Sequence, residues 1–247
     1  MQTSQHSNPP GIMFCWLPWI CVCGWLALFF GCAHRPNSLA PDGEALFDGK
    51  TLKGWSAPDM SYFSVEDGAI TGTTTTAHNP PRVQFIVWQG GEVRDFELKF
   101  EFRIFGAKSN SGMQFRSQVR EFGLVHGYQA DMDGVGKYLG GIWEEYSPRG
   151  SLAARGESVV IAVDGRRTVV ALPGGADLLR GLNLQQWNEY QITAVGPAIL
   201  LRINGQVVAT LVDHEIGNAA ADGVLAMAII PGDPMKVQFR NLRLKRL

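Results

Sequence analysis

The stretch DFELKFEFRIF, residues 95–105, constrains this chain more than any other segment. Phe96, Leu98, Phe100, Phe102 and Ile104 alternate with Glu97, Lys99, Glu101 and Arg103. A period of two places the apolar set on one face of a strand and the charged set on the other. Such a strand is buried on one side and wet on the other, the signature of an antiparallel sheet packed on a core. The same grammar recurs downstream. YQITAVGPAILLRINGQVVATLVD holds three strand-like runs, separated by Gly196-Pro197 and by Asn204-Gly205. The second dipeptide is a strong signal for a tight hairpin. SVVIAVDGRRTVVAL predicts another hairpin around Asp164-Gly165, and VLAMAII a strand covered on both faces. The closing MKVQFRNLRLKRL alternates with a one-residue shift near Asn241, as a bulge produces. ADLLRGLNLQQW has room for a helical turn, and TGTTTTAHNPP reads as a loop or edge region. No long segment carries a 3.6-residue period. Many short strands at regular spacing predict an all-β sandwich or closed β architecture.

The four cysteines, Cys15, Cys21, Cys23 and Cys32, all precede residue 33. The rest of the chain therefore has no disulfide, thiolate nucleophile or zinc-thiolate site. Residues 12–31 form an apolar run of 20 residues without a charge, and the polar AHRPNSLAPDG follows. Length permits a membrane helix, and the layout also suits a secretory signal. LFFGC resembles the end of a bacterial lipoprotein signal, with Cys32 as the lipidated residue. An uncleaved anchor and ordinary cleavage are the other two readings. All three export the body to the cell envelope, and the first two hold it to a membrane by a lipid or N-terminal anchor. The resulting organisation is a signal or anchor over residues 1–32, a tether over 33–43 and a β-sandwich domain over 44–247. The formal net charge is −1 and no basic stripe is present, so nucleic acid is not an expected partner.

NSGMQFRSQVREFGLVHGYQADMDG, residues 110–134, carries the candidate chemistry. Met113 and Phe115 alternate with Gln114 and Arg116; Tyr128, Ala130 and Met132 alternate with Gln129, Asp131 and Asp133. If the two strands are neighbours, their polar faces merge. Arg supplies fixed donors, whereas Asp and Gln accept from hydroxyls. A solvated face with an Arg116–Asp131 cross-strand pair is the plain alternative. Glu144 and Glu145 follow GGIW, and on a strand only one of them can share the polar face. Trp143 and Tyr146 offer aromatic faces beside these acids, Tyr138 sits in a Gly-rich loop, and Arg149 lies in SPRGS. No HxH or HExxH pattern marks a metal, although scattered Asp, Glu and His leave a divalent cation open. No G-x-S-x-G elbow surrounds Ser111.

LFDGKTLKGW, NSGMQFRS, GYQADMD, GGIWEE, WNEYQI, LRINGQVV and PMKVQFRNLRLKRL, in that order, resemble the 3-keto-disaccharide hydrolase domain family across residues 44–247. The resemblance implies a jelly-roll β-sandwich of the concanavalin A-like lectin and glucanase type. It also implies cleavage of glycosides already oxidised at C3. There a ketone acidifies the C2 proton, a base removes it, and the C1 oxygen leaves by elimination, followed by addition of water. Asp131 and Glu144 are then the expected catalytic pair, Glu144 being favoured because the family carries an acid after its Gly-Gly-aliphatic-aromatic run. Gln114, Arg116, Gln129, Trp143 and Arg149 are the expected substrate contacts. The chain departs from the family at LAMAIIPGDP. Ala228 and Ile230 stand where the pattern aliphatic-Gln-aliphatic-His-Gly-Gly has Gln and His. That departure keeps a non-catalytic sugar-binding module as the alternative.

Overall fold

A computed structural model describes residues 43–247. The expected signal, the lipidation at Cys32 and nearly all of the tether lie outside the described residues. Among the described residues, no helix is long and apolar enough to cross a membrane. Seventeen strands run in chain order: β1 (Glu44–Ala45), β2 (Trp55–Ser56), β3 (Phe63–Glu66), β4 (Ala69–Thr74), β5 (Gln84–Trp88) and β6 (Phe96–Phe105). Then follow β7 (Asn110–Val119), β8 (Val125–Asp133), β9 (Ile142–Glu145), β10 (Gly150–Ala153), β11 (Glu157–Ile161) and β12 (Arg167–Ala171). The last are β13 (Asn188–Val195), β14 (Ala198–Ile203), β15 (Gln206–Asp213), β16 (Val224–Ile229) and β17 (Met235–Arg246).

The strands form a two-sheet sandwich. One sheet has the order β12-β11-β15-β14-β13-β6-β17-β4-β3, with β1 also on β17. The other has the order β10-β9-β8-β7-β16-β5-β2. Every pairing is antiparallel except β11 with β15. The alternation in β6 has the predicted consequence: Phe96, Leu98, Phe100, Phe102 and Ile104 are all buried. Burying a side chain of this size stabilises by about 1.5–3 kcal/mol. From the facing sheet, Met113, Phe115, Tyr128, Ala130 and Met132 complete this core. Phe96 meets Phe115 edge-on at 6.2 Å, and Phe100 stacks on Tyr190 at 5.5 Å.

The turn chemistry also holds. Asn204 and Gly205 both take positive φ, 49° and 78°, and close β14 onto β15. Asp164-Gly165 turns β11 into β12, β16 is buried on both faces, and Asn241 takes a φ of 54° where the register of β17 shifts. The helical turn expected in ADLLRGLNLQQW is the short 3-10 helix Gly175–Leu179. The Thr-rich stretch is a correction: its first half is β4, an interior strand between β17 and β3, rather than loop or edge. β-branched Thr suits a strand. Gly72 is needed there because a Cβ would lie 2.7 Å from the Ile229 side chain of the opposite sheet.

Candidate active site

The site is built on the face of β7, β8 and β9 turned away from the core. Gln114 pairs with Gln129 and Gly112 with Asp131 across β7 and β8. Gln129 pairs with Trp143, and Gly127 with Glu145, across β8 and β9. Cross-strand partners share a face, so Gln114, Gln129, Asp131, Trp143 and Glu145 stand together. Asn110, Gln129, Asp131, Tyr138, Trp143, Glu145 and Ile230 line a cleft of about 240 Å³. The Tyr138 and Trp143 rings meet edge-on at 6.4 Å to make an aromatic wall. Larger cavities of about 330 and 510 Å³ adjoin residues 181–185. They gather no comparable set of polar groups from the sheet, so chemistry rather than volume selects the smaller cleft.

A directed hydrogen-bond chain crosses this face. The Ser117 hydroxyl donates to Gln114 Oε1 at 3.0 Å, Gln114 Nε2 to Gln129 Oε1 at 2.8 Å, and Gln129 Nε2 to Asp131 Oδ1 at 2.7 Å. Every donor points toward Asp131. With Oδ1 held as an acceptor, Oδ2 is the oxygen left to carry a proton. Burial raises the Asp131 carboxyl to about 8; the Gln129 bond opposes this, and the charges of Glu145 and Asp133 add to it. Burial also raises Glu145. Two carboxyls raised at one cleft are the kind of groups from which acid and base pairs are built.

Gly112 was not legible as a site residue, yet it makes this arrangement possible. A Cβ there would lie 2.4 Å from both Cγ and Cδ of Gln129. The Gln129 side chain thus lies over bare backbone. We expect Gly112→Ala to displace the Gln129 carboxamide and cost about 1–3 kcal/mol through overpacking. Thermal unfolding measures the stability loss, and sugar calorimetry measures the accompanying fall in affinity.

Three expected site residues lie elsewhere. Glu144 is 3% exposed and sits opposite Tyr128, on the core-facing side of β9. The residue sharing the Asp131 face is Glu145. The reason is period two: once Trp143 is opposite Gln129, Glu144 must point the other way. Arg149 is with Glu144, holding it through two hydrogen bonds of 2.7 and 2.5 Å and reaching Asp213 and Glu215 at 2.9 Å. Tyr128 completes that cluster by donating to Asp213 at 2.7 Å. Arg116 takes a φ of 47° in a bulge of β7, which turns it off the Gln114 face. Its guanidinium donates to the backbone oxygens of Arg94 and Gly196 and to Asp95, tying β7 to the opposite sheet. Asp133 serves the loop that follows it: its carboxylate accepts from the backbone N–H groups of Val135, Lys137, Tyr138 and Leu139.

Ala228 is buried, opposite Gly112, and Ile230 is part of the cleft wall. Among the described residues, no three His, Cys, Asp or Glu side chains are grouped to hold a metal ion. Asp133, the one further acid near Asp131, is already engaged by four backbone donors. Asp131 and Glu145 alone, without a third free carboxylate or imidazole, do not make a dedicated divalent-cation site.

An all-β sandwich with an acidic, aromatic-walled cleft on one sheet is the class of protein defined so far. Solved structures share the fold. They include a protein with a galectin-like fold from Bacillus subtilis (TM-score 0.55, 10% identity, covering 79% of this chain and 90% of that one). A candidate glycosyl hydrolase from Parabacteroides distasonis gives 0.52 at 19% identity, covering 82% and 92%. Carbohydrate binding module CBM66 from Bacillus subtilis gives 0.51 at 14% identity, covering 78% and 95%. A search of curated proteins finds no match. Residues 42–245 match the 3-keto-alpha-glucoside-1,2-lyase-like domain, and the chain belongs to that family. Family membership ties it to carbohydrate chemistry.

Proposed function

We propose that this protein cleaves the glycosidic bond of 3-keto-glycosides at the Asp131–Glu145 cleft. The observation that carries this reading is the buried Asp131 carboxyl beside the half-buried Glu145 carboxyl, both raised by burial, at a cleft with an aromatic wall. Glu145 is the base; Asp131, protonated at neutral pH, is the acid. Glu145 takes the C2 proton and an enolate forms toward the C3 oxygen. Its electrons return to make the C1–C2 double bond as the C1–O bond breaks. Asp131 gives its proton to the departing oxygen. For hydration, Asp131 takes a proton from water as the oxygen adds at C1, and Glu145, its proton exchanged with solvent, protonates C2. Gln114 and Gln129 hold Asp131 in register, and Trp143 with Tyr138 packs the sugar face.

Mass spectrometry of a 3-keto-disaccharide incubated with the protein tests this reading. Split products are expected, and their loss in Glu145→Gln. We expect Trp143→Ala to weaken sugar binding about tenfold, or ~1.4 kcal/mol, by calorimetry. One observation favours a second reading, a non-catalytic sugar-binding module. Ile230 gives the cleft an aliphatic wall where the family pattern carries His. Binding of the keto-sugar without any split product would select that reading. Export and anchoring at the cell envelope remain part of the proposal. Fractionation of cells, with the protein recovered in the envelope, is the expected result.

A further inference from the structure

The strand β12 ends the ten-stranded sheet and is exposed at all five positions. Val169 is 53% and Val170 61% exposed, and the neighbouring Val160 is 43% exposed. Thr168, Val169 and Val170 carry no charge, proline or bulge, the usual means by which an edge is protected. The other sheet edges differ. β2 has two residues, and β3 has four with Glu66 paired to Lys236. β10 has its Ser151 oxygen taken by the Arg167 guanidinium at 2.7 Å.

The hydrogen-bond phase of β12 is fixed by its partner. Ala162 N–H donates to the Arg166 oxygen and Leu172 N–H to the Gly156 oxygen. Even-numbered residues of β12 therefore bond to β11. The N–H and C=O groups of Arg167, Val169 and Ala171 point outward. An antiparallel copy centred on Val169 brings Val169 opposite Val169 and Arg167 opposite Ala171. That register uses all three outward donors and all three outward acceptors on each copy. It also brings Arg166 opposite Leu172, so no like charges face each other.

We infer that two copies of this chain associate through β12, joining their ten-stranded sheets across a twofold axis at Val169. This inference is independent of the reading of the cleft.

Sedimentation of the full chain tests it. The wild type is expected at twice the mass of one chain. Val169→Lys and Val169→Glu, at an exposed edge position, keep the wild-type circular dichroism spectrum and sediment at the mass of one chain. An equimolar mixture of the two variants restores the doubled mass, because Lys and Glu then face each other on the axis. A wild type at the mass of one chain overturns the inference. So does Val169→Lys that stays doubled, as association through residues 12–31 would give. A mixture that fails to pair overturns the Val169-centred register.

Discussion

Asp131→Asn is expected to lower kcat/KM for a 3-keto-glycoside by about 10²–10⁴-fold, the range for loss of a general acid. Binding should persist, because Asn can still accept the Gln129 hydrogen bond that Asp131 Oδ1 accepts at 2.7 Å. Activity of the wild type should fall as pH rises through about 8, where Asp131 loses its proton. The same substitution has a signature in stability. The carboxyl titrates at 3.8 when unfolded and about 8 when folded. Below the first value both states are protonated and the group contributes nothing. Between the two, the folded state holds one more proton, so stability declines as pH rises. Above about 8 both states are ionised and the penalty is constant, on the order of 6 kcal/mol. Denaturant unfolding from pH 4 to pH 9 should therefore show a decline in the wild type that is much reduced in Asp131→Asn. A parallel pH dependence in both proteins would contradict the buried, protonated Asp131.

Arg149→Met is expected to do the reverse, removing stability and sparing chemistry. Arg149 is the cation among Glu144, Asp213 and Glu215, and its own side chain is only 8% exposed. Without it, Glu144 and Asp213, whose side chains are 3% and 1% exposed, face one another as buried charges. Breaking a buried pair in this way costs about 3–5 kcal/mol. For a domain of this size that lowers Tm by roughly 10 °C. Because Arg149 does not line the cleft, the folded variant should turn over substrate at close to the wild-type rate at low temperature. A large fall in kcat with unchanged Tm would place Arg149 in the chemistry after all.

These two substitutions show where sequence was informative. Period two in β6, the Asn204-Gly205 hairpin and the shift at Asn241 are local signals, and each appears in the fold as read. Asp131 and Gln129 could be paired with Gln114 because all three follow from alternation in adjacent strands. The choice between Glu144 and Glu145 could not be made that way. It depends on the pairing of Trp143 with Gln129, a contact between strands that neither strand encodes alone. Arg116 left the expected face through a single bulge. Arg149, in an unremarkable loop sequence, found its partners on Asp213 and Glu215, 64 and 66 residues away. Gly112 gave no signal, because its role is the absence of a side chain beneath Gln129.

The central claim is that Asp131 and Glu145 move protons on a C3-oxidised sugar. Its most direct measurement is incubation of the protein with a 3-keto-disaccharide in deuterated water, followed by NMR and mass spectrometry. The account predicts cleavage with deuterium at C2 of the released keto-sugar. It predicts that both are lost in Glu145→Gln and that cleavage is strongly slowed in Asp131→Asn. Bound sugar with neither cleavage nor exchange at C2, or cleavage undiminished in both variants, would contradict it.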